Sequence, residues 1–576
     1  MDGDTGASQT ARPQSETVSQ PAVAASPERP GRAAATGGGA AARAARYIPV
    51  FAATATMAVL GFWGLQRQSS MGNDEVVTRW AALLSLRQLA HLLRHVDAVH
   101  GLYYLLIHGW TAVGTSPAAI RVPSVLGMMV AVALTVIICR RLTGSGWASL
   151  FAGLIMALTP VISFYAQTAR SYALVMACVL AATLVLMHTL AAEAGPAAGA
   201  GRRWRGWAGY AALIILGGYL NEMSLLVLAA HAVTVGLARQ GWRTVRHWAA
   251  AAAVGVILVG PLLVLSDRQS GALGWLKPPT VQDVKVLLHD YFGPITVVAV
   301  LLAVCAVASL LPPLGTLRAR AFGGESPVES WPPWWRSGGV TLPSVAAPLL
   351  VLPAALLILE SLAWRPLYVD RYVLYGEAGV ALLAGAGACR IGHWLAQLAG
   401  IGAAAGGRAG SALARLGPGG RRALIWVPGV AVCVCVLLLQ LGPQHRARTP
   451  QSRLFDFGGP SRYVAAHARP GDGVLYLTDF YRKAALGYPA DFRHVTDFTL
   501  AVPPARTGTF MGLDKPFPAI RRLMLGYHRI WVVGRSPYAV LPAALARQES
   551  AVLTANFTLA AQQQFKGIQV TLWLRR

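Results

Sequence analysis

The dipeptide Asp74–Glu75, directly after an apolar run, has the clearest capacity for chemistry in the sequence. A carboxylate partly shielded from water beside a second carboxylate has a raised pKa and can take a proton from a hydroxyl. The same pair also suits the start of a helix, where acids cap backbone N–H groups and favour the positive end of the dipole. On the dipeptide alone both readings stand. Further polar groups recur beside later apolar runs: Asp97, His100, Tyr103 and Tyr104; Tyr165, Gln167, Arg170 and Tyr172; Asn221 and Glu222; Arg365, Asp370, Arg371 and Tyr372. Arginines suit a lipid phosphate through planar, multidentate hydrogen bonds, and a single one also serves by snorkelling to headgroups. Ionisable groups at membrane depth are costly unless they serve a site or pair internally.

The elements that would position these groups are long and apolar. The chain has 576 residues, 55% hydrophobic and 13% charged, with a mean hydropathy of +0.48. That composition favours bilayer spans over one large soluble core. Apolar runs lie at about 47–65, 122–140, 147–163, 172–192, 207–220, 223–238, 248–266, 292–312, 341–361, 372–392 and 424–442. These give a mainly α, polytopic chain of about 11 spans. Basic clusters between runs include Arg140–Arg141, Arg202–Arg203–Arg205, Arg239–Arg243–Arg246, Arg318–Arg320–Arg336 and Arg408–Arg415–Arg421–Arg422. The alternate loops mix bases with acids, as at Asp74, Asp267, Asp283 and Asp370. The positive-inside rule then places the amino terminus in the cytoplasm and the polar groups on the opposite side. The net charge of +26 is accounted for by these loop clusters rather than by a nucleic-acid surface.

Three regions follow. Residues 1–45, rich in Ala, Gly, Pro, Ser and Thr, read as a disordered cytoplasmic tail, too long and polar for a simple signal peptide. Residues 46–442 form the membrane region, with a first outer loop at 67–121. Within that loop, Val76 to Leu93 has helical apolar spacing at Ala81, Leu84, Leu89, Leu92 and Leu93, an amphipathic interfacial helix. Residues 443–576 read as a small extracytoplasmic α/β domain, with helices at 461–468 and 538–547 and strands at 474–477, 529–533 and 568–574. Cys139, Cys178, Cys305, Cys389, Cys433 and Cys435 lie in or beside apolar runs and read as packing residues, not as disulfides or a zinc motif.

The order Asp74–Glu75, Asp97…His100-Gly-Leu-Tyr103-Tyr104, Gly114…Arg121-Val-Pro123-Ser124, Gln167-Thr-Ala-Arg170-Ser-Tyr172 and Asp370-Arg371-Tyr372 resembles the GT-C glycosyltransferases. More narrowly it is similar to bacterial protein-mannosyltransferase-like and aminoarabinose-transferase-like members, over about residues 47–392. The resemblance implies inverting transfer of a mannose- or arabinose-like sugar from a polyprenyl-phosphate donor to a hydroxyl of a glycan, lipid or protein. The reaction would lie at the outer face of a bacterial plasma membrane. It implies Asp74 as catalytic base, with Glu75 beside it in the site. His100, Tyr104, Gln167, Arg170, Tyr172, Arg371 and Tyr372 would lie around the donor. Many relatives carry a Lys-Pro-Pro or Pro-Pro motif where this chain has Ala98-Val99-His100-Gly101; either His100 takes the place of that lysine or the site differs. The family includes metal-dependent and metal-independent members. Asp74, Glu75 and His100 are the groups available to a divalent ion, and no cofactor is fixed by the sequence. The alternative class is a transporter or flippase of a lipid-linked precursor, which paired repeats and midplane ionisable groups would favour. No repeat relates the halves, and the polar groups cluster toward one surface.

Overall fold

The computed structural model describes residues 46–66, 70–194, 200–274, 276–312, 339–405, 418–535 and 544–576. The expected tail at 1–45 and the cluster Arg318, Arg320, Arg336, Arg408 and Arg415 lie outside them. Residues 48–576 form one compact unit.

Each of the eleven apolar runs falls on a helix. Among the described residues, six helices are long and apolar enough to cross a membrane: Pro117–Thr143, Tyr172–Ala194, Trp242–Arg268, Leu342–Ala363, Asp370–Leu398 and Ala423–Arg446. Two more candidates are bent pairs, Gly146–Leu158 with Pro160–Ala166 at 66° and Val281–Phe292 with Thr296–Leu310 at 73°, giving up to eight. Ile48–Phe62 and Glu222–Leu237 are shorter apolar helices. The remaining run lies in the helix Ala200–Leu220. This is the architecture of a multi-pass membrane protein.

Both bends have local causes. Pro160 has no N–H to donate, which interrupts the backbone ladder after Leu158. Gly293 has φ +93°, a conformation a side chain resists, and Pro294 follows it. The helix Glu377–Ala405 is the central post of the bundle. Small residues let its neighbours approach at backbone distance: a Cβ at Gly385 would overlap the backbone of Ala152, and one at Gly387 the carbonyl of Cys305.

The expected single helix over 76–93 is two helices, Asn73–Ala82 and Leu86–His95. Ser85 starts the second, accepting a bond from the Gln88 N–H while Gln88 reaches back to the Ser85 N–H at 3.1 Å. That reciprocal cap overrides the continuous apolar spacing.

The C-terminal segment holds a five-stranded sheet in the order β2-β1-β5-β7-β6. The strands are β1 (Asp472–Tyr476), β2 (Val495–Asp497), β5 (Arg529–Gly534), β6 (Phe557–Phe565) and β7 (Ile568–Arg575). Two short strands, β3 (Leu500–Val502) and β4 (Leu513–Asp514), pair apart. β1 is parallel to β2 and β5, and β7 is antiparallel to both β5 and β6. Leu475, Ile530 and Val532 pack on one face against Ile520, Met524, Val552 and Leu553. Val474, Tyr476, Trp531 and Val533 belong to the large core that includes Met71 and Val76 of the outer loop. Both faces are covered, so β1 and β5 read as continuous apolar runs. The expected helix at 538–547 begins in residues outside those described and is observed as Ala544–Asn556.

Replacing Gly387 by Val forces the central helix away from Cys305. A loss of about 1–3 kcal/mol is expected, read as a lower unfolding midpoint in detergent. Gly109→Ala, inside a helix where a Cβ meets nothing within 4 Å, should not lower the midpoint.

Candidate active site

The site is built at the start of the helix Asn73–Ala82, where neighbouring carboxylates point to different surroundings. Glu75 is 1% exposed and turned inward. Arg121, itself 0% exposed, donates to it from Nε at 2.7 Å and from Nη2 at 2.9 Å. The Ala169 and Gly72 N–H groups add bonds at 3.1 Å each, and Arg453 stands 3.6 Å away. Burial alone would raise this carboxyl, but Arg121 and then Arg453 hold it down to about 2. Arg121 also donates to the Ser70 carbonyl at 3.0 Å, and Arg453 to Gln167 O and Thr168 Oγ1 at 2.9 Å each. One buried ion pair thus joins the outer loop, the helix Pro117–Thr143, the 167–170 turn and the C-terminal segment.

Asp74 keeps 28% of its side chain open. Its Oδ1 lies 3.6 Å from Arg170 Nη2 and its Oδ2 3.9 Å from Arg371 Nη2. Asn73 Nδ2 donates to Oδ1 at 3.1 Å. Burial raises the Asp74 carboxyl, but Arg170, Arg371 and His100 together hold it well below the usual carboxylate range. The raised pKa expected from the adjacent carboxylate does not arise, because Glu75 is neutralised by Arg121.

Around Asp74 the structure gathers most of the groups read from the sequence. Arg170 Nη1 donates to Tyr104 OH at 2.9 Å and lies 3.6 Å from Asp97, to which Tyr104 OH also donates. Asp97 adopts a left-handed backbone at φ 61°, a strained conformation for a residue with a side chain. Its Oδ1 is 4.0 Å from His100 Nε2. Burial and the facing Arg170 push His100 down to about 4, which leaves its ring neutral at neutral pH. Arg371 Nε donates to Tyr172 OH at 2.9 Å, and its guanidinium lies beside the Tyr172 and Tyr372 rings. Among the described residues, His100 Nδ1 and Arg170 Nε are buried without a hydrogen-bond partner.

Other expected members stand apart. Gln167 Nε2 donates to the carbonyls of Gly61 at 2.9 Å and Trp63 at 2.8 Å, closing the carboxyl end of the helix Ile48–Phe62. Glu222 accepts from Ser266 at 2.9 Å and lines a separate cavity of about 420 Å³ with Asp267, Glu360 and Arg365. With Glu75 committed to Arg121, the groups available to a divalent ion do not converge. Among the described residues no three His, Cys, Asp or Glu side chains stand close enough to hold a metal.

Lys483, which no motif singles out, comes from the C-terminal segment and donates to Asn73 Oδ1 at 2.7 Å. Its pKa is lowered to about 8, chiefly by burial. Asp74 therefore stands between two guanidiniums, Arg170 and Arg371, while Lys483 faces Asp479 as well as Asp74 and Asp97. Two guanidiniums beside a partly open carboxylate suit an anion.

Breaking the inner pair should unfold the site. Glu75→Gln or Arg121→Met leaves a buried group uncompensated and is expected to cost about 3–5 kcal/mol, read from denaturant midpoints. With a folded pKa near 2 against an ordinary 4.5, the contribution of Glu75 is present above pH 4.5 and is lost as pH falls toward 2.

The sequence matches no protein-family model and no curated protein. Among solved structures, ArnT from Cupriavidus metallidurans in its apo state is similar, with a TM-score of 0.51 and 13% identity over 91% of this chain and 97% of that one. ArnT bound to undecaprenyl phosphate gives the same values. At this identity the likeness shows the fold: the chain has the fold of ArnT.

Proposed function

We propose that the chain is a membrane glycosyltransferase that moves a sugar from a polyprenyl phosphate to an acceptor hydroxyl, with Asp74 as general base. The observation that carries this reading is the partly open Asp74 carboxylate held loosely between Arg170 and Arg371. The likeness to ArnT, whose structure includes undecaprenyl phosphate, supports a donor of that class. The two guanidiniums, and the two buried nitrogens without partners, suit the donor phosphate. The site faces outward across a bacterial plasma membrane, with the amino terminus inside, as the loop arginines favour.

In this mechanism the acceptor oxygen attacks the anomeric carbon as the bond from that carbon to the phosphate oxygen breaks. The phosphate leaves with the electron pair, its charge met by Arg170 and Arg371, and the hydroxyl proton passes to Asp74. Displacement from the opposite face inverts the anomeric configuration. A carboxylate held down by two guanidiniums is a weak base. The donor phosphate removes this difficulty: at 3.6 and 3.9 Å the arginines are not tightly bonded to Asp74, and an anion that shares their charge beside it raises its proton affinity. Asp97 and Tyr104 hold Arg170 in place, and Tyr172 holds Arg371. Glu75 acts one layer behind, fixing the helix start on which Asp74 stands. A mannose- or arabinose-like sugar is the proposed cargo, and a glycan, lipid or protein the acceptor.

Protein in lipid vesicles, supplied with undecaprenyl-phosphate-linked mannose or arabinose and cell-envelope acceptors, should transfer label. Asp74→Asn should abolish transfer with an unchanged unfolding midpoint, and near-normal turnover in that variant sinks the assignment. Arg371→Met should weaken undecaprenyl phosphate binding by about tenfold, the scale of one charge-assisted contact. Movement of the labelled lipid between leaflets without sugar transfer would indicate transport instead.

A further inference from the structure

Lys483 opens the short helix Lys483–Gly487, which follows the turn Asp479–Arg482. Both ends of this piece are pinned. Arg482 bonds to Asp497 at 2.7 Å, to Met511 O at 2.6 Å and to Asp514 at 2.5 Å, anchoring the turn in the C-terminal segment. On the membrane side, Arg79 Nη1 donates to Gly487 O at 3.0 Å, and the Met71 N–H donates to Tyr488 OH at 2.7 Å. The helix therefore sits directly on Asn73–Ala82, and a Cβ at Gly487 would already press on Val76. The Lys483 side chain is 6% exposed, its Nζ lies 4.3 Å from the Phe480 ring centre, and Asp74, Asp97, Arg170 and Asp479 are the charged groups that face it.

An ammonium has donors only, so it selects which end of an amide it meets. Lys483 takes the oxygen of Asn73, which turns the Asn73 NH2 toward Asp74 Oδ1 at 3.1 Å. Asp74 Oδ1 is then occupied by Asn73, while Oδ2 faces Arg371 at the looser distance of 3.9 Å. The chain Lys483–Asn73–Asp74 thus decides which carboxylate oxygen is presented and in what orientation.

We infer that Lys483 is a positioning residue: the C-terminal segment reaches into the membrane-domain site and, through Asn73, orients the Asp74 carboxylate. The inference rests on the proposed role of Asp74 as base. Its test uses Lys483→Met, Lys483→Arg, Asn73→Ala and the Met/Ala double variant of the full chain in lipid vesicles. Transfer from undecaprenyl-phospho-arabinose and -mannose gives kcat and KM, and undecaprenyl phosphate itself serves as the binding probe. Lys483→Met should lower kcat by about tenfold to a hundredfold, the scale of a misplaced catalytic group, with KM and undecaprenyl phosphate affinity within about twofold of the parent. Lys483→Arg should recover at least about half of kcat, since it keeps charge and donors. Asn73→Ala leaves the C-terminal segment untouched and should match Lys483→Met, and the double variant should be no worse than the more impaired single one. An unchanged kcat in either single variant overturns the inference. So does lost undecaprenyl phosphate binding at unchanged kcat, which would make Lys483 a phosphate ligand, or a lowered unfolding midpoint that Lys483→Arg does not restore. An active Asp74→Asn protein would instead overturn the base assignment beneath it.

Discussion

The buried pair of Glu75 and Arg121 is the constraint on which the site depends. Two charges with almost no exposure persist inside a protein only when the geometry is good and the remaining hydrogen-bonding capacity is met. Here Ser70 and Gly72 of the outer loop, Ala169 of the 167–170 turn and Arg453 of the C-terminal segment meet it. The pair therefore ties together the outer loop, a long helix, the turn carrying Arg170 and the C-terminal segment. A site assembled from elements this far apart in sequence needs such a tie.

The neighbouring carboxylate is set up in the opposite way. Successive residues at a helix start project in different directions, so Glu75 turns in while Asp74 stays partly open. Its contacts to Arg170 and Arg371 are long, and each arginine has a firmer partner in Tyr104 or Tyr172. In the proposed reaction this difference matters. The arginines stay in place through the tyrosines while their charge is shared between Asp74 and an arriving phosphate. The left-handed Asp97 stores strain at the point where Arg170 is held, as backbone at functional sites often does.

The C-terminal segment is more than a neighbour of the membrane region. One face of its sheet joins the same apolar core as Met71 and Val76. Its Arg453 closes the inner pair, and its Lys483 bonds to Asn73 beside Asp74. A sheet buried on both faces gains from both layers, so docking of this segment and ordering of the outer loop are physically coupled.

By itself the sequence determined the elements with strong one-dimensional signals. Apolar runs of this length must be buried or placed in lipid, so each of the eleven appears as a helix. The motif residues Asp74, His100, Tyr104, Arg170, Tyr172, Arg371 and Tyr372 were legible as a group, because charged and aromatic residues beside apolar runs need a reason to be there. Local signals that outweighed the apolar pattern were also present at Ser85 and Gln88, and at Pro160, but periodicity hid them. Tertiary structure alone decided the rest. It separated Asp74 from Glu75, sent Gln167 to the end of the first helix, and brought Lys483 across 410 residues to Asn73. Those outcomes depend on which charged group finds which partner in space, and pairing between distant side chains leaves no periodic trace in the chain.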